Sequence, residues 1–243
     1  MRTKRSLGQN FFVNENLGNR IVSYLENPQV DTLLEIGPGT GFFTAKLENK
    51  YRNIYVVEKD KNIATKLTEQ FPNIEVFNED FLDFNINSLP SQDIIFFGSL
   101  PFNISKKIIK KIIESKSFRY TSYFIIQKEV AEKYIYKKPY STLSLLTRIY
   151  AECNKLLDIS PESFRPKPNV YSSLISFTPS FLELDNTINL KNLISLSFKY
   201  PRKNLLNNLK GTRFEEQCKK YGDMRPSDLS LNEYLEILNR EPF

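Results

Sequence analysis

An α/β chain with an open, mostly parallel sheet and a small C-terminal helical domain is what this sequence predicts. Short apolar runs alternate with stretches of helical spacing from residue 16 onward, as in successive βαβ units. A glycine-rich loop joins the first such run to the first helix after it. Near residue 182 the strand-like runs stop and only short helical stretches follow. The expected domains are 1–181, sheet and helices with a basic N-terminal arm, and 182–243, helical with a basic face.

The arm is Met1-Arg2-Thr3-Lys4-Arg5, followed by Gly8, Gln9, Asn10 and the aromatic pair Phe11-Phe12. A frayed terminus is its ordinary reading. Its functional reading is an arm that touches RNA while Gln9, Asn10 and Phe12 close over a small ligand. Leu17, Ile21, Val22 and Leu25 have helical spacing and end before Pro28. Thr32–Ile36 reads as the first buried strand. Gly37-Pro38-Gly39-Thr40-Gly41 follows, then a helix carrying Phe42, Phe43, Ala45 and Leu47. Glycine between strand and helix lets a ligand approach the backbone. The helix start presents free N–H groups.

Asn53–Val57 is the second strand, and Glu58 stands at its tip. A carboxylate there can hold both hydroxyls of a ribose, a need common to several nucleoside cofactors. Ile74–Phe77 is the third strand, followed by Asn78-Glu79-Asp80. Asp80 is placed to accept from an adenine amine, or else simply caps a turn.

Asp93–Phe97 is the fourth strand and delivers Gly98-Ser99-Leu100-Pro101-Phe102-Asn103-Ile104-Ser105. The Ser99 hydroxyl and the Leu100 carbonyl are neighbouring acceptors. Pro101 stiffens the turn and has no N–H to compete. Phe102 offers a ring on which an extruded base can stack, worth about 1–3 kcal/mol. Accepting hydrogen bonds from an exocyclic amine drives its nitrogen toward a tetrahedral shape and frees its lone pair for attack. The loop therefore reads as a clamp for a flat base such as adenine, the alternative being an ordinary strand-to-helix turn with a buried Phe.

Beyond the clamp, Ile108, Ile109, Ile112 and Ile113 face inward at helical spacing. Lys106, Lys107, Lys110 and Lys111 cover the other side as a solvated or phosphate-facing surface. Tyr120–Gln127 is a fifth strand and Lys128–Tyr136 a helix. A helix from Pro139 follows, then two closing strands, Cys153–Ile159 and Ser172–Phe177. Between these lies the rigid, basic loop Phe164-Arg165-Pro166-Lys167-Pro168. In the C-terminal part, helical stretches are expected over Leu190–Phe198, Arg202–Lys210, Arg213–Tyr221 and Leu231–Leu238. No internal repeat or low-complexity segment is present.

Composition narrows the chemistry. The absence of His removes imidazole acid–base catalysis and His-ligated metals. The two cysteines, Cys153 and Cys218, form no metal or redox motif, which suits a reducing compartment. No metal is expected. Net charge is +6, suited to a polyanionic partner. No apolar run is long enough for a membrane span, and no secretory signal is evident. The expectation is a cytoplasmic protein with no membrane partner, and a monomer by default.

The glycine loop, G-x-G-x-G with Glu35 two residues ahead, resembles the first motif of the S-adenosyl-L-methionine (SAM) methyltransferases. Together with Gly8-Gln9-Asn10-Phe11, Leu100-Pro101-Phe102-Asn103-Ile104-Ser105 and Phe164-Arg165-Pro166-Lys167-Pro168-Asn169-Val170-Tyr171-Ser172, it resembles the rRNA adenine N6,N6-dimethyltransferases across nearly the whole chain. That resemblance implies a Rossmann-like SAM-dependent methyltransferase sheet, SAM as cofactor and ribosomal RNA as partner. It puts Asn10, Phe12, Gly37, Glu58, Asp80 and Ser99 on cofactor-contact positions, with Gly39 in the same loop. Ser99, Leu100, Pro101 and Phe102 fall on the base-holding positions. Ser99 and Phe102 depart from the Asn and Tyr usual in that family. Tyr200–Leu209 and Arg225–Leu231 resemble the KsgA-type branch, which acts on two adjacent adenines near the 3′ end of 16S rRNA in the pre-30S particle. The chain's length is nearer that of the Erm-type branch, which acts on 23S rRNA. Two other readings compete: a non-catalytic nucleic-acid-binding assembly or transcription factor on the same fold, and a nicotinamide-dependent oxidoreductase.

Overall fold

The structure is a computed structural model that describes residues 10–25, 27–180 and 186–239. The basic arm with Gly8 and Gln9 lies outside the described residues, as does the expected 181/182 boundary. By their contacts, residues up to Glu132 and Asn154–Pro179 form one compact unit. Lys133–Cys153 and the chain from Ser180 onward form the other. The second unit thus includes a stretch that the pattern of strands and helices had assigned to the first.

The first unit is built in the expected alternation. β1 (Phe11–Phe12) and α1 (Glu15–Tyr24) precede β2 (Thr32–Ile36), α2 (Phe42–Leu47), β3 (Asn53–Val57), α3 (Lys61–Gln70) and β4 (Glu75–Phe77). Then come β5 (Ile95–Ser99), α4 (Ser105–Ile113), β6 (Ser122–Gln127) and α5 (Lys128–Tyr134). After α6 (Thr142–Arg148), which belongs to the second unit, come β7 (Ala151–Ile159), β8 (Phe164–Arg165) and β9 (Ser172–Pro179). Among the described residues, seven strands form one sheet in the order β4-β3-β2-β5-β6-β9-β7. The pairs from β4 to β6 are parallel, and β9 runs antiparallel to β6.

This order determines where a ligand can sit. From β2 the chain winds outward through β3 and β4, then returns to place β5 on the other flank of β2. The crevice at the carboxyl ends of β2 and β5 is therefore the switch point of an open α/β sheet. β5 begins two residues later than its apolar run suggests and continues through Ser99, so Gly98 and Ser99 belong to the strand. Glycine is required at 98, because a Cβ there would lie 2.7 Å from the Ile36 carbonyl oxygen and 2.8 Å from Leu100 Cδ2.

Helices cover the sheet with their apolar faces. Asn14 caps α1 through its side chain at the Leu17 N–H, and Asp60 caps α3 at Asn62. On α4 the four isoleucines are buried and Lys106, Lys107 and Lys110 are exposed, as the spacing predicts. An aromatic cluster ties four elements together. The Phe43 ring centroid lies 4.9 Å from those of both Phe12 and Phe97, and Phe12 meets Phe164 edge-on at 5.2 Å. β1 and β8 pair antiparallel, Phe11 opposite Arg165 and Phe12 opposite Phe164. At two residues each, these strands were too short to register as a sequence pattern.

The second unit packs α6, α7 (Thr187–Ser197), α8 (Leu205–Leu209) and α9 (Leu231–Leu238) around Leu145, Leu190, Ile194, Leu209 and Tyr234. Ser230 and Glu233 form a capping box at the start of α9. The helix expected over Arg213–Tyr221 is not formed; turns occupy it, closing with a 3-10 turn at Lys219–Tyr221. Side chains compete with the helix there. Glu215 accepts from the Gly211 N–H at 2.7 Å, and Thr212 Oγ1 donates to the Leu209 carbonyl at 2.6 Å.

Gly98→Ala should destabilise the first unit by about 1–3 kcal/mol, because its Cβ meets backbone that cannot swing away. Urea unfolding measures this as a lower midpoint at unchanged slope. A wild-type midpoint would mean that β2 and β5 separate freely.

Candidate active site

The cleft at the switch point is lined by the ends of four adjacent strands. Gly37 and Gly39 contribute from beyond β2, Glu58 and Lys59 from beyond β3, Asp80 and Phe81 from beyond β4, and Ser99 to Ile104 from β5 onward. Asn10, Phe11 and Phe164 add to its wall. Of the residues singled out by sequence, Asn10, Gly37, Gly39, Glu58, Asp80, Ser99, Leu100, Pro101 and Phe102 all line this one cleft. Phe12 does not: it is buried in the aromatic cluster, and its neighbour Phe11 lines the cleft instead. Period-2 alternation in a short strand sends one of two adjacent rings inward and the other out.

The glycine loop is held in a conformation that favours glycine. Gly37, Gly39 and Gly41 have φ of 64°, 59° and 81°. A Cβ on Gly39 would also lie 2.7 Å from the Phe11 ring, so the backbone and that ring meet closely at the cleft wall.

Three carboxylates at or beyond the ends of neighbouring strands have different surroundings. Glu35, on β2, is buried beneath the loop, and Thr44 of α2 donates to it at 2.6 Å. Burial pushes its pKa up from 4.5 to about 7; the Thr44 bond opposes the shift and the negative charge of Glu58 adds to it. Glu58 is also buried and its pKa raised, chiefly by desolvation, while backbone N–H groups of Asp60, Gly39 and Lys59 draw it back. The Asp60 N–H donates to Glu58 Oε1 at 2.8 Å. Asp80 goes the other way. The hydrogen bond from Lys59 Nζ, at 2.8 Å, and that from the Leu82 N–H, at 2.9 Å, hold its carboxyl below the ordinary range. Asn78 donates to the Glu58 carbonyl at 2.9 Å and so ties the ends of β3 and β4 together.

The clamp is fixed by its backbone. The Leu100 N–H donates to the Ile125 carbonyl at 3.0 Å, continuing the β5–β6 ladder past Ser99. The Pro101 carbonyl accepts from the N–H groups of Ile104, at 3.2 Å, and Ser105, at 3.0 Å, which turns the chain into α4. Among the described residues, none donates to the Leu100 carbonyl or bonds the Ser99 hydroxyl. Both residues therefore line the cleft with an acceptor unspent, beside the half-buried Phe102 ring. Such an arrangement suits a planar base carrying an exocyclic amine, with a nucleoside ligand along the β2–β4 ends.

The family described as ribosomal RNA adenine dimethylase matches residues 1–240. The chain belongs to that family. Membership makes this dimethylase-family protein a methyltransferase and sets aside the nicotinamide reading. Ribosomal RNA small subunit methyltransferase A of Francisella tularensis subsp. novicida (strain U112) is 32% identical, over 98% of this chain and 97% of the relative. Its counterpart in Pelagibacter ubique (strain HTCC1062) is 35% identical, over 98% and 96%. Among solved structures, a dimethyladenosine transferase from Plasmodium falciparum shares the fold, with a TM-score of 0.81 at 22% identity over 94% of this chain and 96% of that one. The 23S rRNA methyltransferase ErmE aligns with a TM-score of 0.75 at 25% identity, covering 94% and 98%.

Sequence reasoning did not find Phe11, Lys59 or Thr44. Lys59 follows Glu58 directly, and its pairing with Asp80 becomes visible only once β3 and β4 are neighbours. The burial of Glu35 sets a pH dependence. Its folded pKa is raised, so the unfolded chain loses this proton first, and stability falls as pH climbs from about 4.5 to about 7. Glu35→Gln removes this ionisation. Thermal unfolding from pH 5 to pH 8 should show a shallower fall for the variant, by up to about 3 kcal/mol. An equal fall in both proteins would mean that Glu35 is not the responsible group.

Proposed function

We propose that this protein uses SAM to dimethylate the N6 amine of adenine in ribosomal RNA. The target read here is the two adjacent adenines near the 3′ end of 16S rRNA, within the pre-30S particle. The observation that carries the reading is the pair of unspent acceptors, Ser99 Oγ and the Leu100 carbonyl, beside Phe102 in the same cleft as Glu58 and Asp80. Support for the small subunit comes from relatives of 32% and 35% identity named as small subunit methyltransferases. Action on rRNA implies a cytoplasmic site of work and a role in ribosome biogenesis, and one chain holds every residue the chemistry needs, so a monomer suffices.

The donor set fits SAM. The Glu58 carboxylate would accept from the ribose hydroxyls. Asp80, kept ionised by Lys59, accepts from the adenine amine of the cofactor. Gly37 and Gly39 let the rest of the molecule lie against the backbone, while Asn10 and Phe11 close over it. Phe12 contributes by packing behind them. When bound, SAM supplies a sulfonium-activated methyl for displacement by the target nitrogen. Ser99 and Leu100 orient that nitrogen, Pro101 keeps the turn rigid, and Phe102 stacks the extruded base. Positioning accounts for most of the rate gain.

For the second unit we propose RNA binding. Lys199, Arg202 and Lys203 are exposed on one turn, and the ammonium groups of Lys199 and Lys203 lie 5.5 Å and 4.7 Å from the centre of the half-exposed Tyr200 ring. Such a turn suits phosphates.

The test is methyl transfer from labelled SAM to unmodified 30S particles and to naked 23S rRNA, with mapping of the modified base. Label on adjacent adenines near the 16S 3′ end is expected. Label on one 23S adenine would make this an Erm-type enzyme. No label on either, with RNA still bound, would return the non-catalytic factor. Phe102→Ala should lower kcat/KM by about 10–100-fold while SAM still binds; loss of SAM binding would mean that the ring serves the cofactor. Glu58→Ala should raise the SAM Kd by about 10–100-fold, measured by calorimetry. An unchanged Kd would remove the ribose contact.

A further inference from the structure

Lys111 behaves unlike the other lysines of α4. Lys106, Lys107 and Lys110 are exposed, and Lys110 pairs with Glu114 at 2.7 Å. The Lys111 ammonium instead donates to three backbone carbonyls of a single turn: Phe81 at 2.8 Å, Leu82 at 2.7 Å and Phe84 at 2.6 Å. An ammonium has three N–H donors, and all three converge here. The Phe81 ring lies 5.3 Å from the same nitrogen. Burial lowers the Lys111 pKa, so the group is partly stripped of water. An exposed lysine on this face would escape that cost by extending into solvent.

The turn so gripped begins at Asp80, whose carbonyl accepts from the N–H groups of Asp83 at 2.9 Å and Phe84 at 3.0 Å. Asp80 and Phe81 both line the cleft. α4 starts at Ser105, directly after the clamp. One side chain therefore bolts the helix that follows the clamp to the turn that carries Asp80.

We propose that Lys111 is a positioning residue that sets the Asp80–Phe84 turn so that the cleft selects adenine over hypoxanthine in its nucleoside ligand. This rests on the reading of the cleft as a SAM site. Adenine presents an amine donor at C6, whereas hypoxanthine presents a carbonyl acceptor there. An ionised carboxylate only accepts, so a well-placed Asp80 welcomes the first and repels the second. Lys111 does not touch the ligand; it fixes the backbone from which Asp80 projects.

The readout is a ratio of affinities. Calorimetry gives Kd for S-adenosylhomocysteine and for S-inosylhomocysteine with the wild type, Lys111→Met, Lys111→Gln and, as the reference for lost recognition, Asp80→Ala. The wild type should prefer the adenosyl form. Lys111→Met should reduce that preference by about tenfold, with Lys111→Gln between it and the wild type. A general loss of folded protein lowers both affinities alike and leaves the ratio untouched, so a purely structural role would not move it. An unchanged ratio in both Lys111 variants would overturn the proposal while leaving the cleft assignment intact. A wild type that binds neither compound, or prefers neither, would overturn the cleft assignment and the proposal with it.

Discussion

The site depends on how closely β5 approaches β2. A Cβ at position 98 would collide with the Ile36 carbonyl oxygen, so that approach exists only because residue 98 is glycine. The same two strands flank the point where the sheet reverses direction, where an open crevice faces the carboxyl ends. Bringing β5 in against β2 sets the Ser99–Phe102 turn and the Gly37–Gly39 stretch on the wall of one cleft. A methyl donor on one loop and a base on the other can then share one cleft. The rest of the first unit holds this seam shut, from the Phe43–Phe97 contact behind it to the isoleucine face of α4.

Charge is distributed by burial. Glu35 and Glu58 lie on and after two adjacent parallel strands and Asp80 beyond the next, and the like charges of Glu35 and Glu58 repel. The structure separates their roles by environment. Glu35 is dry, which favours its neutral form against the opposing pull of the Thr44 hydroxyl and spares Glu58 part of the repulsion. Glu58 is nearly as dry but is met by backbone N–H groups, so an ionised carboxylate there has donors ready for it. Asp80, the most exposed of the three, is neutralised by Lys59. The outcome is a graded set: one buried acid whose neutral form is favoured, and two carboxylates on the cleft wall with donors at hand.

Much of this was legible in the sequence because it is local. β2, β3, α2 and α9 stand where apolar runs and helical spacing put them. The glycine loop, Glu58, Asp80 and the clamp fall into one cleft because parallel strands deliver successive carboxyl ends to one edge. What the sequence concealed depends on contacts distant along the chain. β1 and β8 are two residues each and exist only because they find one another, so Phe11 rather than Phe12 reaches the cleft. Lys111 looked like one more member of a solvated lysine face until the Phe81–Phe84 carbonyls came within its reach. The Arg213–Tyr221 stretch kept a helical pattern but lost the helix to Glu215 and Thr212, whose side chains satisfy nearby backbone groups more cheaply.

The serine at position 99 bears on how the clamp divides its work. A serine oxygen stands one bond nearer the backbone than an asparagine oxygen, and its hydroxyl both donates and accepts, so it fixes a proton less firmly than an amide carbonyl. The Leu100 carbonyl has no such freedom, since the Leu100 N–H is locked to Ile125 and the Pro101 carbonyl to the start of α4. In the proposed reading the backbone acceptor would therefore set the orientation of the amine, and the hydroxyl would follow it. An amine that reaches Ser99 must come closer to the end of β5 than one that reaches an asparagine. In the same reading that displacement would be set by the stacking surface of Phe102, whose ring lacks the hydroxyl of the usual tyrosine and can be approached without a polar group to satisfy. The two departures from the family pattern are thus compatible with each other in that reading: a shorter acceptor would draw the base inward, and a plainer ring would let it come.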